Sequence, residues 1–249
     1  MTNMQVVKTP DRLPWTGDDE ADRLLANDPL ALLIGFVLDQ QVTLQKAFSG
    51  PLELRKRLGS LDARAIAVMD TAELEAVFAR RPALHRFPGN MARRTQALCQ
   101  ALVRDYEGNA GRVWSEANDG RDLERRLLAL PGVGEMKAKT LLAVLGKRFG
   151  IKPPGWEDVA PRHPTLGDAD TPEAVAAYQA GKRAHKAELR ARGLALTSAT
   201  HRPDGPELRE EAFMSHHEKG KTGGDMKSGT GKDTKSGASK GDSKTTPKK

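Results

Sequence analysis

Through the first ~190 residues, apolar positions recur with a helical period. Asp28-Pro29 supplies a start: a capping side chain, then proline at the first helical position, where no N–H is needed. The segment that follows, Leu30 to Leu38, is apolar on every side, which predicts a helix buried all round in a core. Phe48-Ser-Gly-Pro51 is expected to break the next helix, with Leu54 and Leu58 four apart beyond it. Asp70-x-x-Glu73 has the form of a capping box ahead of Leu74, Val77 and Phe78. A loop is expected from Pro82 to Asn90. Asn90 then caps a helix with Met91, Leu98, Leu102 and Tyr106 on one side. Thr171-Pro172 opens a last helix that runs to about Gly193. No segment sustains period-2 alternation of β-branched residues, so the expected fold class is all-α, without internal repeats.

The chain of 249 residues has room for one large or two small domains. Its longest apolar run is too short to span a bilayer, and the polar stretch Met1–Thr9 has no secretory-signal character. The formal net charge is +7, but it is unevenly spread. Residues 219–249 hold nine Lys and three Asp, which leaves the first 218 residues with 31 basic and 30 acidic side chains. Basicity therefore belongs to the tail, and on its own it does not assign a nucleic-acid partner to the body. Three regions are expected: a helical body (1–193), a weakly structured linker (194–218) and a disordered Lys/Gly/Ser-rich tail (219–249). The single cysteine, Cys99, excludes an internal disulfide framework and a four-cysteine iron–sulfur or zinc site, and points to a reducing cytoplasm. Cys99 lies on an apolar helix side and is read as inert, and His216-His217 is an isolated pair rather than a metal site.

The most informative stretch is 122–149, containing Leu130-Pro-Gly-Val-Gly-Glu-Met-Lys-Ala138. It reads as an amphipathic helix ending at Leu130, a tight turn Pro131-Gly132-Val133-Gly134, and a second helix to about Phe149. Pro131 stops the first helix, and Gly132 and Gly134 permit positive φ and keep side chains away from whatever approaches. Backbone N–H groups at the start of the second helix form a phosphate site, and Lys137 and Lys139 stand one turn on, where they are expected to meet the same phosphate.

The pattern Leu-Pro-Gly-hydrophobic-Gly-x-x-x-Ala resembles the helix-hairpin-helix motif. Upstream, the apolar helix from Pro29 that ends in Asp39-Gln40-Gln41-Val42 looks like that of DNA glycosylases in the HhH-GPD superfamily, with the alkylpurine glycosylases nearest in style. Phe48-Ser-Gly-Pro51, the run Pro82–Gly89 and Pro154-Gly-Trp156 are similar to a bacterial subgroup of that superfamily. The resemblance implies a two-lobed helical fold that binds duplex DNA, flips a damaged base into a pocket and hydrolyses its N-glycosidic bond. It implies a monomer in the bacterial cytoplasm, associated with the nucleoid, with no membrane partner and no small-molecule cofactor. It also implies a monovalent cation held by the backbone of Gly132–Gly134 rather than a side-chain metal site.

In the superfamily an aspartate some twenty residues beyond the second turn glycine stabilises the cationic sugar or activates water. Twenty residues after Gly134 stands proline. Asp158, four further on, is the candidate catalytic carboxylate, with Glu157 the neighbouring alternative. Relatives that also cleave the strand carry a Schiff-base lysine two residues after that glycine. Here the position is Met136, so the resemblance implies hydrolysis without a lyase step. Gln40 and Gln41 are expected at the flipped-base site, or else as polar caps of a buried helix end. His85 and Arg86 line a pocket or touch phosphate, or else pack the loop, the reading preferred; Trp156 stacks on a base or, as preferred, packs; Trp15 and Trp114 are read as core or rim. Lys182, Arg183, Lys186, Arg190 and Arg192 form either a solvated helix end or a basic strip that widens the DNA footprint. Two rivals remain: a DNA-binding or damage-sensing protein that lost the catalytic carboxylate, and a helical adaptor whose Gly132–Gly134 turn is buried.

Overall fold

Capping side chains and buried apolar faces set the helices. The computed structural model describes residues 10–191; the expected linker and tail, with Arg192 and His216-His217, lie outside the described residues. Eleven α-helices and one short 3-10 helix occur among the described residues, with no strand. Helix α1 is Asp19–Asn27 and α2 is Pro29–Leu38. Asp28 caps α2, its carboxylate accepting from the N–H groups of Leu30 (2.8 Å) and Ala31 (3.2 Å). Every residue of α2 from Leu30 to Leu38 is buried, as an all-apolar segment requires. α2 lies among α1, α3 (Leu44–Leu58) and α6 (Pro88–Tyr106).

The expected break at Phe48–Pro51 does not occur: α3 runs through Pro51 without interruption. Proline removes one backbone donor, but the surrounding residues hold the helix in place. Phe48 lies against Gly35 and makes edge-to-face contacts with Trp15 and Phe36, with ring centroids at 5.0 and 5.2 Å. Gly50 fits under the Leu38 side chain. Burial of Phe48, Pro51, Leu52 and Leu54 offsets the lost hydrogen bond.

Helix α4 (Ala63–Val68) and α5 (Thr71–Ala79) pack on α6. The Asp70 carboxylate accepts from Glu73 N–H (3.0 Å), as its sequence predicts. The loop before α6 is shorter than expected. The helix starts at Pro88, Phe87 occupies the N-cap, and Asn90 sits in the first turn, where its Oδ1 accepts from Arg94. Proline at the first helical position moves the start two residues ahead of the capping asparagine.

Helix α7 (Arg112–Ser115) leads into α8 (Gly120–Leu128) and α9 (Glu135–Arg148), the two arms of the hairpin; α8 ends two residues short of Leu130. The 3-10 helix Leu166–Asp168 packs on α9, where Gly167 approaches the Ala143 backbone, and Lys147 pairs with Asp168 at 2.6 Å. Between them, α10 (Trp156–Val159) rests on α8, and α11 (Pro172–Ala191) follows. The described residues fall in one compact unit, and no helix among them is long and apolar enough to cross a membrane.

Candidate nucleic-acid interface

The hairpin is built as its glycines require, but the two glycines differ. Gly132 has φ +81°, and a Cβ there would lie 3.3 Å from Val37, so both conformation and close approach to α2 call for glycine. Gly134 instead has φ −85° and ψ 177°, an extended backbone open to any residue, so positive φ is needed at Gly132 alone. Nothing lies within 4 Å of a Cβ built on Gly134. Val133 is buried and donates to Leu130 O (3.1 Å), while Pro131 is half-buried. The first helical bond of α9 runs from Ala138 N–H to Gly134 O, and no side chain caps the helix. The N–H groups of Glu135, Met136 and Lys137 therefore lack helical acceptors at the positive end of a four-turn helix. Glu135 in that turn offers a carboxylate to the same dipole, and Met136 is 72% exposed. The first part of the turn is packed, with Val133 buried and Gly132 against α2, whereas Gly134 and the start of α9 are exposed.

The two lysines are committed elsewhere. Lys137 Nζ lies 3.3 Å from both Val37 O and Gly132 O, bridging the C-terminal end of α2 and the turn. Burial pushes its pKa down to about 8, against the pull of Asp39 and with help from Arg94. Lys139 pairs with Glu124 (2.6 Å) and donates to Val159 O (3.0 Å), tying together α8, α9 and the end of α10. Both ammonium groups, expected at a phosphate, are thus held by protein groups in this structure. A long side chain follows the nearest unpaired carbonyl or carboxylate, and here those belong to the protein.

Beside the hairpin, the end of α2 carries a hydrogen-bonded cluster. Gln40 donates to Val37 O (2.9 Å) and accepts from Arg94 (3.1 Å). Its backbone carbonyl accepts from His85 Nε2 (2.8 Å), because His85 Nδ1 accepts from Phe87 N–H (3.0 Å) and so leaves the ring proton on Nε2. Burial lowers the His85 pKa and favours that neutral form. Gln40 is a polar cap of a buried helix end, as one of its two readings has it, and His85 is packed as expected. Gln41 is exposed and has φ +53°, a left-handed backbone uncommon for a residue other than glycine. Phe87 is 41% exposed, with the Arg86 guanidinium 5.2 Å from its ring centroid.

Asp39 and Arg94 belong to this cluster and were not singled out from the sequence. Asp39 had a signal, being the first polar residue after the apolar run; Arg94 is one basic residue of an amphipathic helix and had none.

Trp156 positions the candidate carboxylates. It is buried, its Nε1 donates to Leu142 O (3.0 Å), and its ring fills the space a side chain at Gly146 would take. Gly120 N–H donates to Pro154 O (2.8 Å), which holds the preceding loop against α8. Glu157 and Asp158 stand in the short α10 rather than a loop, and both are exposed. A cleft of about 340 Å³ lies at the other end of α2, lined by Asp28, Asp62 and Glu107 among others. Asp28 and Asp62 cap helices there, so the cleft is no continuation of the hairpin site.

Comparison with family models, curated proteins and solved structures finds no match to the chain.

Proposed function

We propose that the protein binds duplex DNA through the turn Pro131–Gly134 and acts as a base-excision DNA glycosylase of the two-lobed HhH-GPD type. The observation that carries the DNA-binding part is the uncapped, open start of α9, with a side-chain-free residue at its N-cap. Backbone donors at a helix N-terminus suit a phosphate oxygen, and the absence of a side chain lets the strand come close. Gln41, exposed in a left-handed conformation three residues beyond the end of α2, is the side chain we assign to the space beside a flipped nucleotide.

Asp158 is the proposed carboxylate for the oxocarbenium-like transition state, with Glu157 the alternative. Water attacks the anomeric carbon and passes a proton to the Asp158 carboxylate, the C–N bond breaks and the base leaves with its electron pair. An alkylated purine is already cationic and leaves without a general acid. The exposed Met136 offers no amine for a lyase step.

The exposure of both Glu157 and Asp158 favours a second reading, in which the protein binds DNA without catalysis. A single-turnover assay separates the two. Wild type and Asp158→Asn are mixed with duplexes bearing alkylated purines, uracil, hypoxanthine or oxidised guanine. Abasic product from wild type alone is expected. No product on any duplex with binding intact selects the second reading.

A further inference from the structure

We propose that the second half of α11 is a preformed arm for the phosphates of the same duplex, an inference that rests on the DNA-binding reading above. The first half of α11 packs on the body: Val175 is buried, Tyr178 and Gln179 are half-buried, and Gln179 donates to Gln45 at the start of α3 (3.2 Å). From Ala180 to Glu188 every side chain is exposed. Helical geometry of about 100° per residue places Lys182, Lys186 and Arg190 within ~60° of Val175, and Arg183 within ~80°. The cationic stripe therefore continues the face that packs on the body, past the point where the body ends. The acidic residues of α11, Glu173 and Glu188, fall on the opposite side.

This register is not what a solvated helix end requires. The helix dipole attracts cations to the last turn on any side, whereas here they gather on one. The stripe begins where α11 leaves the body: the Lys182 ammonium sits 5.3 Å from the centroid of the Tyr178 ring, next to Gln179, which is bonded to Gln45 at the start of α3. From Lys182 to Arg190 the stripe spans ~12 Å, over which duplex DNA presents roughly seven phosphate charges. A membrane surface suits it poorly, because residues 180–191 contain one large apolar residue.

The test is the full-length chain carrying Lys182→Ala, Arg183→Ala, Lys186→Ala and Arg190→Ala together. Alanine is a strong helix former and the replaced side chains are exposed, so an unchanged circular dichroism spectrum is expected. Affinity for an undamaged duplex is measured between 50 and 200 mM salt for wild type, this variant and Gly134→Asp. The slope of log affinity against log salt should become shallower by about 0.9 for each phosphate that α11 no longer neutralises, about two to four phosphates in total. An unchanged slope, with Gly134→Asp still weakening binding, overturns the arm and leaves the hairpin in place. Gly134→Asp without effect, beside a shallower slope for the α11 variant, overturns the hairpin and keeps the arm. A wild-type chain that does not bind the duplex at 50 mM salt overturns both. Binding to phosphatidylserine vesicles that the α11 variant loses, with the duplex slope unchanged, overturns the arm in favour of a membrane surface.

Discussion

At the scale of single residues, direction of side chains matters more than their type. Lys137 carries a charge that burial disfavours, with its folded pKa at about 8 against the usual 10.5. Between those values the unfolded chain keeps the proton and the folded chain releases it, so this residue adds stability as pH rises through that window. Below pH 8 both states are protonated and the full cost of the buried charge remains. Relative to Lys137→Gln, the melting temperature of wild type should therefore climb between pH 8 and 10.5; parallel curves would show that the ammonium is solvated. Cys99 gives a simpler test. Burial raises its thiol to about 12, so a disulfide reagent at pH 8 should leave it untouched until the protein is denatured. Gly134→Asp probes the phosphate site without disturbing the fold. Its backbone is extended and its Cβ has free space, and aspartate at an N-cap is at least as good as glycine. Melting should stay constant or rise by an amount worth a few tenths of a kcal/mol, while duplex affinity falls.

At the scale of elements, close approach by way of glycine decides how the helices meet. Gly35 admits Phe48, Gly50 admits Leu38, and Gly146 admits the Trp156 ring. The last of these bears on function, because Trp156 anchors the short helix that carries Glu157 and Asp158. Gly146→Ala would drive a methyl into a ring that is buried and hydrogen-bonded, which costs about 1–3 kcal/mol. Chemical denaturation should show that loss, and any excision activity should fall with it as α10 shifts. Packing also decides the course of α3. Pro51 reads locally as a breaker, yet the aromatic contacts of Phe48 and the buried Leu52 and Leu54 keep the helix whole. Phe48→Ala should cost about 3–5 kcal/mol, the range for a large aromatic removed from a core.

At the scale of the whole molecule, charge is distributed in a way the total conceals. The body is close to neutral; some of its cations are paired, as with Lys139 and Lys147, and others gather on one side of α11. Residues 219–249 carry a net +6 from nine Lys and three Asp. Truncation at Lys219 should flatten the salt dependence of duplex binding without abolishing it, since polyelectrolyte attraction adds to, and does not replace, a structured contact. Complete loss of binding on truncation would make the tail the DNA-binding element and remove the hairpin from that role.

Local chemistry was enough to read the helix starts at Asp28 and Asp70, the wholly buried α2 and the hairpin itself, because caps, periodicity and glycine turns act within a few residues. The all-helical class follows from the same periodicity. Tertiary structure alone decided the rest. It carried α3 through Pro51, because burial outweighs one missing hydrogen bond. It turned Lys137 and Lys139 inward, because their partners come from α2, α8 and α10. It brought Asp39, Gln40, His85 and Arg94 together from three separate stretches of chain, with the left-handed Gln41 at their edge. And it set which side of α11 faces the body, so that a row of cations that looks like a solvated helix end in one dimension becomes a continuation of a packed face in three.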